Sequence, residues 1–109
     1  MAVARHGRKK EREAAWADTF KAMGDRTRLS ILLKLIEGEH CVTDLAKALK
    51  MTDPKVSFHL TRLKYAGLLV NERRGQRVLY RINPDLKKRS RAGLVLDIHG
   101  CLFQFPKTR

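Results

Sequence analysis

TDPKVSFHLTRLKYAGLLVNERRGQRVLYRI, residues 52 to 82, decides the fold. Thr52 is a good helix N-cap, Pro54 falls in the first turn where its missing N–H costs nothing, and Gly67 closes the segment. Val56, Leu60 and Leu63 recur at helical spacing and share one side of that helix. Because this side must face a core, the opposite one is fixed. Pro54, Phe58 and Thr61 project outward, with Ser57 on one edge and Lys55 and Arg62 on the other. Leu68 to Arg73 and Arg77 to Ile82 are then β-rich runs joined through Arg74, Gly75 and Gln76, with Gly75 supplying the turn. The stretch is a capped helix able to enter a groove, followed by a hairpin with an arginine-studded tip.

Upstream, HCVTDLAKALKM (residues 40 to 51) places Val42, Leu45, Ala46 and Leu49 on one helical stripe, with Asp44 in a first turn that favours negative charge. The short gap before Thr52 makes this third helix and the fourth a helix-turn-helix pair, although the turn lacks its common glycine. Asp25 caps a second helix with Leu29, Ile31, Leu32, Leu33, Leu35 and Ile36, apolar around most of its circumference and ending at Gly38; it is expected at the centre of the core. Ala15, Trp16, Phe20 and Met23 mark a first helix from about Glu11 to Met23. Residues 1 to 10 are basic and without apolar periodicity, which predicts a flexible arm.

Downstream, Asn83-Pro84 opens a turn or short helix through DLKKRSR. In LVLDIHGCLFQF, Gly93 and Gly100 oppose a long helix. Alternation sorts Val95, Phe103 and Phe105 to one face and Leu94, Leu96, Ile98 and Leu102 to the other, as in a strand buried on both sides. The expected architecture is mainly α with some β: a winged helix-turn-helix of about four to five helices, a two-stranded hairpin wing and an added strand in the tail. Residues 11 to 92 form the domain and 93 to 109 a packing or dimer element.

A chain of 109 residues has room for one modest core, so dimerisation would help it. Lys and Arg total 24 against 11 Asp and Glu, a formal charge of +13 that draws polyanions. Residues 51 to 91 hold eleven basic and three acidic residues, so the excess concentrates on the helix and hairpin. Double-stranded DNA is the expected partner. Ser57 suits base edges or phosphate, Phe58 thymine methyls, Thr61 the same outward face, and Lys55 and Arg62 guanine or phosphate. Arg73, Arg74, Gln76 and Arg77 suit phosphates or the minor groove. His59 lies nearer the core face, and a packed histidine is its plainer role. Charge on the hairpin would also serve to block strand-to-strand aggregation. A nonspecific nucleic-acid-binding winged helix is the alternative, since +13 alone suffices for it.

No Gly-rich phosphate loop, nucleophile elbow or dense His/carboxylate cluster outside the tail marks an enzyme. No apolar run reaches membrane-spanning length and MAVARHGRKKERE lacks an apolar core, so neither a span nor a secretory signal is expected. The expected compartment is the cytoplasm, with Cys41 and Cys101 reduced.

Residues 19 to 82 resemble the ArsR/SmtB family of bacterial winged-helix repressors. Phe20 to Leu32 mirror its F-K-A-L-x-D-x-T-R-L-x-I-L opening, Cys41 to Ala46 its C-V-x-x-L-A block, and Val56 to Leu60 its V-S-x-H-L; Ala66 to Leu68 and Arg73 to Tyr80 follow its A-G-L and wing. The resemblance implies a homodimer on an inverted-repeat operator, released by an effector, with Trp16, Phe20 and the tail as dimer candidates. Family members often carry Gln and Ser where this chain has Asp53 and Pro54, so the operator sequence does not carry over; Asp53 is expected to serve the helix N-terminus.

The effector stays open among metal ion, metalloid and thiol oxidation. Arsenic- and cadmium-sensing members read C-V-C where this chain has Cys41-Val42-Thr43, so Cys41 lacks its nearest thiol partner, and a small buried thiol is the plainer account. Asp97, His99 and Cys101 alternate, and in one strand all three would point the same way as ligands for a thiophilic or borderline metal. Asp97-Ile98-His99 also echoes the Asp-x-His pair of the family's zinc sensors. A thiol switch between Cys41 and Cys101 is the redox alternative.

Overall fold

A computed structural model describes residues 2 to 90 and 93 to 106. In chain order its elements are α1 (Ala2–Met23), α2 (Arg26–Glu37), β1 (His40–Cys41), α3 (Val42–Leu49), α4 (Asp53–Tyr65), β2 (Leu69–Arg74), β3 (Arg77–Ile82), a 3-10 turn (Pro84–Leu86), β4 (Lys87–Ser90), β5 (Gly93–Ile98) and β6 (Cys101–Pro106). The strands form two antiparallel sheets, ordered β1-β3-β2 and β4-β5-β6. The fold is a winged helix-turn-helix with a second, C-terminal sheet.

Each helix boundary has a local cause. Asp25 caps α2 by accepting from the Arg28 N–H at 3.0 Å, and that bond holds its carboxyl below the ordinary carboxylate value. Thr52 caps α4 by accepting from the Lys55 N–H at 3.4 Å. At the far end Gly67 takes φ +83 and the Leu68 N–H reaches back to the Leu63 carbonyl at 3.1 Å, closing the last turn. The α3–α4 turn works without glycine because Lys50 itself adopts the left-handed conformation, φ 56, with the Met51 N–H bonded to the Ala46 carbonyl at 2.9 Å.

One continuous core gathers Ile31, Leu32 and Leu35 of α2, Leu45 and Ala46 of α3, Val56, Leu60 and Leu63 of α4, Tyr80 and Ile82 of β3, and Leu96 and Ile98 of β5. Val56, Leu60 and Leu63 are fully buried, as the helical stripe requires. Each buried leucine of this kind contributes about 1.5–3 kcal/mol.

The structure departs from the sequence reading in several places. The helix expected to begin near Glu11 runs from Ala2, so residues 2 to 10, expected as a flexible arm, carry helical backbone; Ala, Arg and Lys there are strong helix formers. Met1 lies outside the described residues. On α2, Leu29 and Leu33 remain 39% and 44% exposed, so only the Ile31, Leu32 and Leu35 side is central. The turn or short helix expected from Asn83-Pro84 is a single 3-10 turn at Pro84–Leu86, and residues 87 to 90, expected to continue it, extend instead as β4 against β5. Arg91 and Ala92, and residues 107 to 109, lie outside the described residues.

The tail is two strands rather than one. A two-residue turn at His99 and Gly100, φ 54 and 88, pairs Ile98 with Cys101, Leu96 with Phe103 and Leu94 with Phe105. Pairing across such a turn joins even-numbered residues of β5 to odd-numbered ones of β6. Phe103 and Phe105 therefore share the face of Leu94, Leu96 and Ile98, while Val95 and Leu102 lie on the other. That regrouping corrects the expected sorting, and it leaves Leu102 69% exposed.

Because α4 is held by buried apolar contact, Leu60→Ala should lower the unfolding free energy by about 2–5 kcal/mol in a urea titration. A loss under about 0.5 kcal/mol, the level of an ordinary surface substitution, would contradict this packing.

Candidate nucleic-acid interface

With Val56, Leu60 and Leu63 buried, the far side of α4 is exposed at Lys55, Phe58, Thr61 and Arg62, with Ser57 half-buried at its edge. Phe58 is 52% exposed, and the Arg62 guanidinium lies 5.0 Å from the centre of its ring, one helical turn on. Thr61 Oγ1 donates to the Ser57 carbonyl at 2.9 Å, which fixes this exposed side chain against its own helix. Asp53, at the entrance of α4, accepts from Thr43 Oγ1 at 3.4 Å and ties the start of α3 to the start of α4. The threonine that stands in place of a second cysteine thus has a structural partner, and the Asp53 charge sits on a helix N-terminus.

His59 faces inward at 9% exposure. Arg28 donates Nε–H to the Ala22 carbonyl at 2.7 Å and Nη1–H to His59 Nδ1 at 3.3 Å. Since arginine only donates, Nδ1 is the acceptor and the ring keeps its proton on Nε2. Burial lowers the His59 pKa; Asp25 opposes that shift, and Arg28 and Lys55 reinforce it. A neutral imidazole and a pinned guanidinium therefore join α1, α2 and α4 behind the outward face. Arg62 also borders a cleft of about 330 Å³ shared with Lys21, Arg28 and Tyr65.

In the wing, Arg74 pairs with Arg77 across the two-residue turn at Gly75, φ 62, and Gln76. Arg73, Gln76 and Arg77 are exposed at this tip, Arg73 Nε–H being spent on the Gly75 carbonyl at 3.3 Å. Arg74 differs. Its guanidinium forms a fork with Glu39 at 2.8 and 3.3 Å and a further bond to Glu72 at 2.7 Å. The Arg74 hydrogen bond holds the Glu72 carboxyl below its usual value. Exposed pairs of this kind add little stability, but they fix the wing against the loop before β1. Neither Glu39 nor this tie was visible as a site in the sequence, because 35 residues separate its ends.

The candidate metal ligands are not brought together. Cys41 is 4% exposed, ends β1 and borders a cavity of about 210 Å³ with Val42, Thr43, Gln76, Arg77 and Val78. His40 Nδ1 is bonded to the Gly38 carbonyl at 2.9 Å. Asp97 Oδ1 accepts from the Gly100 N–H at 3.0 Å, pairing across the sheet with Leu102; Cys101 pairs with Ile98 on the opposite face. His99 occupies the turn, its Nε2 3.0 Å from Thr19 Oγ1, while its carbonyl accepts from Trp16 Nε1 at 2.8 Å. The hairpin resets the alternation that had aligned Asp97, His99 and Cys101. Among the described residues no group of three or more His, Cys, Asp or Glu could hold a metal. Trp16 and Phe20, expected at a dimer interface, lie beside the C-terminal hairpin, Phe20 packing edge-on against Phe103 at 5.9 Å while 40% exposed.

Residues 25 to 70 match the family described as bacterial regulatory protein, arsR family. The arsenical resistance operon repressor of Escherichia coli K12 is 47% identical over 68 residues, 62% of this chain and 58% of that one. The repressor of the same description from Bacillus subtilis 168 is 35% identical over 86 residues, 78% of each chain. The chain thus spans little more than half the length of the E. coli relative. Among solved structures, the homodimeric winged helix-turn-helix DNA-binding domain Mb0332 of Mycobacterium bovis, a possible ArsR-family regulator, superposes with a TM-score of 0.69 at 36% identity over 72% of each chain.

The inward imidazole gives a pH signature. A histidine whose folded pKa is lowered binds its proton more readily when unfolded, so its contribution is present above about pH 6.5 and is lost as pH falls through the window below that value. The urea midpoint of the wild type should drop between pH 7 and 5.5 more than that of His59→Gln. Equal drops would contradict a neutral, buried His59.

Proposed function

The chain belongs to the ArsR family, and from this we propose that it is a DNA-binding transcriptional repressor, a homodimer acting in the cytoplasm on an inverted-repeat operator and released by an effector. The observation that carries the reading is the outward face of α4, Lys55, Ser57, Phe58, Thr61 and Arg62, set beside the basic wing on a chain of charge +13. Helix α4 enters the major groove, while Arg73, Gln76 and Arg77 follow the flanking phosphates or minor groove. Arg74 acts through the wing's position, being already engaged by Glu39 and Glu72.

The partner subunit is taken up by α1 and the C-terminal hairpin. Phe20 and Leu102 leave apolar surface exposed there, and two-fold symmetry then sets the two α4 helices about 34 Å apart, one turn of DNA. No described helix is long and apolar enough to cross a membrane. Two relatives carry arsenical resistance in their descriptions. Here Thr43 is committed to Asp53 and leaves Cys41 without an adjacent thiol, so arsenic sensing is not carried over.

Fluorescence anisotropy with duplexes from the DNA upstream of its own coding sequence tests the proposal. At fixed salt, binding should exceed that to random DNA by about a thousandfold or more. Affinity should fall steeply with salt, and Arg77→Ala should reduce that slope by about one charge. Equal affinity for random DNA would leave the nonspecific alternative standing and overturn the repressor reading.

A further inference from the structure

The Phe58–Arg62 pair is the least ordinary feature of the outward face. A half-exposed phenylalanine on a charged helix gains nothing from the core, since its inward neighbours Val56, Leu60 and Leu63 fill that contact on their own. Its ring is held from two sides. The His59 ring meets it edge-on at 5.4 Å, and the Arg62 guanidinium lies 5.0 Å from its centre. Arg62 has no carboxylate partner among the described residues, so the ring is what orders its fork. The face therefore presents a fixed apolar plate next to a fixed bidentate donor.

In the major groove these two shapes have distinct complements. A guanidinium fork matches guanine O6 and N7, and the apolar feature of that groove is the C5-methyl group of a pyrimidine. Stacked bases on one strand are about 3.4 Å apart, so a ring and a fork in mutual contact reach neighbouring bases and not separated ones. We propose that Phe58 and Arg62 read a methylpyrimidine–guanine step, TpG, as a single unit: Arg62 takes the guanine and Phe58 covers the methyl of the thymine stacked on its 5′ side. Such pyrimidine–purine steps also deform easily, which lets the helix seat closely. The proposal rests on α4 being the groove helix, and it names what that helix reads.

The test uses the full chain and a randomised duplex library. Selection with the wild type should enrich half-sites with TpG (CpA on the other strand) at one fixed position. On the selected duplex, replacing that thymine by uracil removes the methyl and should weaken wild-type binding several-fold, while 7-deazaguanine, lacking N7, should weaken it about ten-fold or more. Cytosine opposite guanine should restore binding at the thymine position when 5-methylated and not otherwise. Phe58→Ala should be nearly indifferent to uracil, and Arg62→Ala to 7-deazaguanine, each variant being checked for an unchanged thermal midpoint. Phe58→Leu, which keeps an apolar contact, should retain part of the uracil response. An enriched half-site without TpG, or a uracil penalty equal in wild type and Phe58→Ala, would overturn the inference while leaving sequence-specific DNA binding intact. A library that shows no enrichment would overturn both.

Discussion

Burial of Val56, Leu60 and Leu63 is the contact on which the other arrangements depend. These residues lock α4 onto α2 and the base of the wing, and so decide which side chains the helix can offer to a partner. With that stripe buried, Phe58 and Arg62 cannot turn inward without exposing fully buried leucines, which would forfeit several kcal/mol. The outward face is thus a consequence of the core. Arg28 reinforces it from behind by joining the Ala22 carbonyl to the neutral His59 ring, which ties α1, α2 and α4 together.

The wing is held by a different kind of force. Its inner edge shares the core through Tyr80 and Ile82, but its tip is fixed by exposed charges, Arg74 between Glu39 and Glu72. A tip anchored this way keeps Arg73 and Arg77 projecting while using one arginine for position. It is also sensitive to salt, which weakens exposed pairs and would weaken the proposed phosphate contacts with them. The rigid helix suits base readout and the screened tip suits backbone contact.

How much of this was legible in the sequence followed from how local each cause is. Caps at Asp25 and Thr52, the stripe on α4 and the glycine turn of the wing involve residues within a few positions of each other, and all were readable. The α3–α4 turn was readable despite its missing glycine, because the pattern on both sides demanded a turn and Lys50 accepts the left-handed conformation. What could not be read depends on distant pairing. Two-residue β1 exists because His40 and Cys41 pair with Tyr80 and Leu79, and the Arg74–Glu39 tie likewise spans the chain. In the tail the sequence reads as a single alternation, but a turn at His99 and Gly100 inverts it, which regroups the apolar faces and separates Asp97, His99 and Cys101.

That same turn places the C-terminal hairpin against α1 through Thr19, Trp16 and Phe20, joining the two ends of the described chain beside the core. On the proposed reading the domain so framed offers DNA one face, and contact mapping tests this most directly. A photoreactive benzoylphenylalanine replacing Phe58 on α4, compared with one replacing Leu33 on the exposed side of α2, should crosslink to bases in the major groove of a bound duplex from position 58 alone. Crosslinks from position 33, or none from position 58 while the duplex stays bound, would contradict the account.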